Sequence, residues 1–457
     1  MTSSYLGLAV LDALLLGAGL GALYGLGLVR SGRDALRHSG LALVAGWAAL
    51  GIVESTLLVL GAPLSRLVVA LSAVGVATAG ALLARRVSAR RLPLVGEPGL
   101  GSWIAVVGAS VVVVQFAALL RRALAEGGPL QWDAWAFWLP KARSIVDFGG
   151  LDTGLGGFTS FAHATYPPLL PALEASAFAI MGNTKASPLA LQHWLVAVAF
   201  IGALASLLGV RVRPAILWPC LALLALLPTF TSLLGSSLGD EPLMLLVGLG
   251  GACSALWLLE RDARFAALAG LFLAASALAK SEGLPIAAVV AATTLVVAVA
   301  RPPRRPLAPA LVLLAPFAAI LPWKIWTRIN DVPASPDYRL SDALHPGLLA
   351  DRLDRLSYAA GKLPGYVFGP GHWLLAVPLM LAAALLAAPR HPGLSLLALV
   401  SVFAVPFGLL VVYWIGFPPV EFYVATSAER GVASGVVLAA VFLPLLLAEA
   451  SAVDESP

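Results

Sequence analysis

Long apolar runs separated by short polar breaks dominate this chain. The segments 5–28, 39–61, 64–84, 101–121, 190–210, 214–234, 242–260, 265–280, 284–300, 307–324, 367–388, 394–414 and 431–448 carry almost no charge. A helix needs about 20 mainly apolar residues to cross a hydrocarbon core of about 30 Å, and there it must satisfy its own backbone hydrogen bonds. The pattern therefore predicts an all-α polytopic membrane protein with about 13 transmembrane helices. Two polar gaps, 122–189 and about 325–366, are too long to be turns. In the first, the clusters 132–143 and 163–171 predict short interfacial helices, the second of them parallel to the membrane surface.

Composition agrees with that reading. Of 457 residues, 60% are hydrophobic and 12% charged, against about 25% charged in a soluble domain. The formal net charge is +5. On a soluble protein a basic balance would suggest nucleic acid, but here the basic residues sit in alternate short loops, as orientation signals do. Nucleic acid is not an expected partner; membrane lipid is. Cys220 and Cys253 lie inside apolar runs without metal-ligand spacing and read as small core residues.

Arg30, Arg33 and Arg37, then Arg85, Arg86, Arg90 and Arg91, then Arg211 and Arg213, Arg261 and Arg264, Arg301, Arg304 and Arg305, and Arg390 occupy every second connection. The positive-inside rule makes those connections cytoplasmic. The other side receives loop 122–189, the 235–241 turn, Lys280-Ser281-Glu282, the 325–366 loop and 416–430. The residues capable of chemistry thus fall on one, non-cytoplasmic, face.

Within loop 122–189 the cluster Trp132-Asp133-Ala134-Trp135-Ala136-Phe137-Trp138 sets one carboxylate among aromatic rings. Desolvation raises a carboxyl pKa and makes a base of it; the plainer alternatives are a helix cap for Asp133 and an interfacial belt for the tryptophans. Lys141 and Arg143 follow closely, with charge suited to a phosphate. Downstream, His163 precedes Tyr166-Pro167-Pro168, where two prolines stiffen the backbone and place Tyr166; a satisfied surface histidine is the plain reading of His163. Asp12 and Glu54 fall in or near early spans, where ionisable groups are costly, and pairing near the interface is the plain reading for both. Arg352, Asp354 and Arg355, alternating with Leu349, Leu353 and Leu356, predict an amphipathic helix. Asp454 and Glu455 belong to a cytoplasmic tail.

Together these residues resemble the GT-C fold of polyprenyl-phosphate-sugar-dependent glycosyltransferases, in particular the bacterial group related to protein O-mannosyltransferases and lipid A aminoarabinose transferases. The long first outer loop with its acidic residue and Tyr-Pro-Pro segment carries the likeness. So do Gly239-Asp240-Glu241-Pro242-Leu243, Lys280-Ser281-Glu282-Gly283 and Thr426-Ser427-Ala428-Glu429-Arg430. It covers roughly residues 101–448. Many relatives carry two adjacent acids in the first loop, whereas Ala134 follows Asp133 here.

The resemblance implies three regions: accessory helices over 1–100, a catalytic transmembrane module over 101–330 containing loop 122–189, and a C-terminal loop with helices over 331–457. It implies an inverting hexosyl- or pentosyltransferase in the bacterial inner membrane, with its site on the periplasmic or extracellular face. The donor would be a polyprenyl-phosphate sugar and the acceptor a glycan, lipid or protein. In that scheme Asp133 is the base. Lys141, Arg143, Lys280 and Arg430 neutralise the departing phosphate, and His163, Tyr166, Asp240, Glu241 and Glu282 contact substrate. The resemblance names no definite cofactor and leaves a divalent cation open, for which Asp240 and Glu241 are ligands of the right type.

A phosphate-binding Gly-x-x-x-x-Gly-Lys-Ser/Thr loop, a His-Glu-x-x-His motif and a cysteine-rich tract are all missing, which argues against ATPase, zinc-protease and iron–sulfur chemistry. The rival class is a secondary transporter or lipid flippase, whose mark would be repeated halves with ions bound near the midplane.

Overall fold

A computed structural model of the chain describes residues 2–86, 103–125, 127–128, 131–300, 310–335 and 337–451. Arg90, Arg91, Arg301, Arg304, Arg305, Asp454 and Glu455 lie outside the described residues. The described residues form helices and connections, with no strand among them. The main helices are α1 Thr2–Gly25, α2 Ser39–Val59, α3 Arg66–Leu83, α4 Trp103–Ala125, α5 Leu139–Phe148, α6 Leu169–Met181, α7 Ser187–Leu208, α8 Pro214–Leu226 and α9 Asp240–Glu260. They continue with α10 Ala263–Ala279, α11 Gly283–Ala300, α12 Ala315–Ile329, α13 Leu353–Phe368, α14 Ala376–Ala387, α15 Pro392–Ile415, α16 Val420–Gly431 and α17 Ala433–Ser451.

Among the described residues, ten helical stretches are long and apolar enough to cross a membrane: α1, α2, α3, α4, α7, α9, α11, the stretch containing α12, α15, and the stretch joining α16 to α17. Each falls on a predicted span, and the chain is an all-α, multi-pass membrane protein. The other three predicted spans contain shorter apolar helices, α8, α10 and α14. Pro228, which starts a separate short helix, interrupts 214–234. Gly369 and Pro370, with Leu374 at φ +51°, interrupt 367–388. A break removes one turn or more from each run, so hydropathy overstates the continuous helix there.

At the centre stands α9, buried along nearly its whole length. It packs on α7, α10, α11 and α17, which is why its sequence shows no polar face. The N-terminal helices join the same body. A methyl at Gly19 would sit 1.7 Å from the Ala42 carbonyl oxygen, and one at Gly46 1.8 Å from that of Leu15. Two backbones in direct contact require glycine at both crossings. In turn α2 packs on α6, α7 and α10, and Gln192 of α7 donates to Asp12 of α1 at 3.3 Å.

Polar residues collect at two opposite ends. Because α9 runs from Asp240 to Glu260, about 30 Å by helical rise, its termini mark them. At the Glu260 end, Arg211 bonds both Glu260 and Glu449, and His391 contacts Glu449. At the Asp240 end lie Asp133, Lys280 and Arg430.

Two expected interfacial elements differ. The helix after Tyr-Pro-Pro, α6, is not a surface helix: Leu169 through Phe178 are all buried, against α1, α2 and α5. In α13 the inward stripe is Ala359, Leu363 and Val367, while Leu353 is exposed. Arg352 and Arg355 are not simply solvated. They donate to the carbonyls of Ile415, Gly416, Tyr413 and Pro418 at 2.6–3.1 Å, satisfying the orphan acceptors at the C-terminal end of α15. Cys220 and Cys253 are free and buried.

Candidate functional site

The stretch after Asp133 folds as a π-helical turn, Ala134–Trp138, continuing directly into α5. The widened turn accompanies a split of the aromatic cluster. Trp132 and Trp135 are exposed and meet edge-to-face at 5.7 Å, whereas Phe137 and Trp138 are buried. The Trp138 ring lies over Gly239, where a Cβ would fall 2.6 Å from it. That contact holds loop 122–189 against the Gly239-Asp240 turn, and only glycine leaves room for it.

Asp133 is not a helix cap, for its side chain bonds no terminal amide. Instead its carboxylate accepts from Arg430 Nη1 at 2.6 Å, across 297 positions of sequence. Both side chains keep about a quarter of their surface, 26% for Asp133 and 28% for Arg430. Asp240 lies near enough for its charge to act on Arg430. Lys280, at the extended end of α10, donates to Asp240 at 2.8 Å and approaches Glu282 at 3.4 Å. Burial alone would lower the Lys280 ammonium, but Asp240 and Glu282 more than offset it and hold the pKa above the ordinary lysine range. Asp133, Asp240, Lys280, Glu282 and Arg430 thus form one group.

Glu241, expected beside Asp240, faces elsewhere. Adjacent helical residues point about 100° apart, and the Glu241 carboxylate accepts from the Gly235 amide at 3.2 Å and contacts His193 Nδ1 at 3.1 Å. On the other edge of that imidazole stand Ser237 at 3.3 Å and Glu174 at 3.6 Å. This buried trio pins the 235–239 loop, in which Ser237 adopts φ +52°, and so fixes where Asp240 begins its helix. His193 and Glu174 were not singled out from sequence. Their signal was there: a lone ionisable residue inside an apolar run is costly and is kept for a reason.

Lys141 also turns inward. Its side chain is fully buried, donates to the His163 carbonyl at 2.7 Å, and lies 5.1–5.9 Å from the Phe137, Trp138, Phe158 and Tyr166 ring centres. Enclosed in that way, it fastens α5 to the 163–166 turn and offers no open face to a phosphate. Burial pulls its pKa down to about 7. In an unfolded chain a lysine titrates near 10.4; the unfolded state therefore binds more protons between about pH 7 and 10, and stability contributed at this site rises with pH through that window. Thermal midpoints are expected to show this rise in the wild-type protein and to lose it in Lys141→Met. An unchanged pH dependence would show that Lys141 keeps its ordinary ionisation.

His163 sits at φ +54° with its ring stacked on Tyr166, centres 4.6 Å apart. Its Nδ1 lies 3.3 Å from Asp337, linking loop 122–189 to the 325–366 loop. Burial lowers the His163 pKa, with Asp337 opposing. Tyr166 is kept a neutral phenol by burial, between Trp138 at 5.6 Å and His163. Asp337 and its half-buried neighbour Tyr338 escaped sequence reasoning because they lie in an irregular loop without periodicity. Arg143 is half-buried, and its Nε finds no hydrogen-bond partner among the described residues.

No set of three His, Cys, Asp or Glu side chains with a metal-holding arrangement occurs among the described residues. Asp240 and Glu241, the pair considered for a divalent cation, are committed to Lys280 and His193 and point apart. The group at the Asp240 end can instead bind an anion through Lys280 and Arg430 while presenting carboxylate oxygens beside it. Comparison of the chain with protein-family models, curated proteins and solved structures finds no match.

Proposed function

We propose that this protein is a GT-C-type membrane glycosyltransferase moving a hexosyl or pentosyl group from a polyprenyl-phosphate donor to an acceptor hydroxyl, with inversion, on the non-cytoplasmic face of the bacterial inner membrane. The observation that carries the reading is the Asp133–Arg430 ion pair. It joins the first outer loop to the Thr426–Arg430 motif, beside Asp240 and Lys280 from two further motifs.

In this reading the donor phosphate draws Arg430 and Lys280 to itself, and Asp133 is uncovered as its partner leaves. Its carboxylate then takes the proton of the acceptor hydroxyl as the acceptor oxygen bonds the anomeric carbon. The bond from that carbon to the phosphate oxygen breaks, its electron pair stays on the phosphate, and the two cations stabilise the growing charge. Between α13 and α15 runs a groove of about 560 Å³ lined by apolar side chains, among them Leu363, Val367, Phe368, Phe403 and Phe407. Its size and character suit a prenyl chain, and Phe368 precedes by four residues the His372 that contacts Glu429.

Mass spectrometry of envelope glycans from cells with and without the gene is the test. A sugar missing only in its absence is expected, and identical glycans would remove the transferase reading. One observation favours the rival transporter: Asp12, Glu54, Glu174 and His193 are ionisable groups enclosed among apolar helices. A transporter would lose function on His193→Ala while tolerating Asp133→Asn.

A further inference from the structure

Beside Arg430 lies a second polar group that the scheme above does not use. Glu429 projects from α16 one residue earlier and accepts from Thr229 Oγ1 of the short helix Pro228–Leu233. The same oxygen, Oε1, lies 3.2 Å from Nδ1 of His372, which belongs to the short helix Pro370–Trp373. Three separate elements therefore converge on one carboxylate. His372 and Glu429 keep 37% and 41% of their side-chain surface, so the pair is open where the Glu174–His193–Glu241 trio is closed.

The arrangement has a defined chemical sense. A carboxylate on Nδ1 fixes the tautomer and leaves the Nε2 lone pair outward, as in other carboxylate-oriented imidazoles. The ring is steadied from α13 by Tyr366, whose centre lies 5.7 Å away. A methyl at Gly369 would sit 3.2 Å from His372 Cδ2 and 2.2 Å from the Gly365 carbonyl oxygen, so the backbone at this site is tightly determined as well. Thr229 is buried and spends its hydroxyl on Glu429, which holds the carboxylate in place from below.

We propose that His372 and Glu429, braced by Thr229, form a subsite for a hydroxyl-bearing carbohydrate acceptor. A hydroxyl of the acceptor donates to His372 Nε2, and a neighbouring hydroxyl donates to the free edge of Glu429. Arg430, the next residue of the same helix, holds Asp133, the proposed base. The pair is a positioning and specificity site: it orders the acceptor without itself breaking a bond. The identity of the ligand rests on the glycosyltransferase reading.

Saturation-transfer NMR on the full chain in nanodiscs, with a panel of methyl hexosides and pentosides as probes, tests it. At least one glycoside is expected to give a signal with the wild-type protein. His372→Ala and the isosteric Glu429→Gln are expected to weaken that binding by about tenfold or more, the effect of losing a hydrogen bond to a polarised group. Equal binding in the variants, or no binding of any glycoside by the wild type, overturns the subsite. Binding that depends on His372 in a protein that transfers no sugar would uphold the subsite and remove the transferase reading.

Discussion

Replacing Asp133 by Asn is expected to leave the protein folded and to slow sugar transfer by about 10²–10⁴-fold, the usual contribution of a general base. The fold should survive because the Asp133–Arg430 pair is partly exposed, and pairs of that kind contribute at most about 1 kcal/mol. Rate should not survive, because an amide oxygen remains a hydrogen-bond acceptor for Arg430 but does not take a proton from a hydroxyl. Arg430→Ala separates the roles. It leaves the base in place and removes the phosphate counter-charge, so its defect should appear mainly in donor use. Transfer measured in reconstituted vesicles, together with the thermal midpoint, reads both effects. Turnover by Asp133→Asn equal to that of the wild type would withdraw Asp133 from the chemistry.

Lys280→Ala is expected to damage the fold as well as donor use. Asp240 has only 6% of its side chain exposed and Lys280 15%; deleting the cation leaves a buried carboxylate without its partner. Breaking such a pair from one side typically costs about 3–5 kcal/mol, whereas replacing both partners by neutral groups of similar volume is often tolerated. The double variant Asp240→Asn/Lys280→Met should therefore recover most of the stability that Lys280→Ala loses, while donor use stays impaired because the phosphate site has lost its charge. Thermal unfolding in detergent and donor binding are the two readouts. Recovery of both would make the pair purely structural, and recovery of neither would place its stabilising partner elsewhere.

Particular residues show how much of the site was legible before the structure. Asp133, Asp240, Lys280, Glu282 and Arg430 were each conspicuous as charge in an oily chain, and all five gather in one place. Lys141 was equally conspicuous and has a different use. A lysine can lay its stem through apolar surroundings and end either at a surface or in a ring cage, and nothing local to 137–143 distinguishes the two. Glu241 is the same lesson on a helix. One residue from Asp240, it lies round the helix and serves the loop rather than the site. His372 and Thr229 carry no spacing signal at all, and the Thr426–Arg430 motif that holds Glu429 points to neither, since the three come from separate elements and meet only when those elements pack.

Apolar run length and the alternation of arginine-bearing loops are properties of the chain itself. A bilayer admits only segments that satisfy their own backbone and are long enough to cross, so an all-α, multi-pass chain and the location of the polar gaps followed from the sequence alone, with about 13 spans expected where ten helical stretches among the described residues are long and apolar enough. What those gaps do was decided by tertiary structure. Side-chain partners 297 positions apart depend on which helix ends become neighbours. That in turn depends on backbone contacts as close as Gly19 on α2 and on shape complementarity as local as Trp138 over Gly239. Hydropathy is a sum over one segment and carries no information about which other segment it meets.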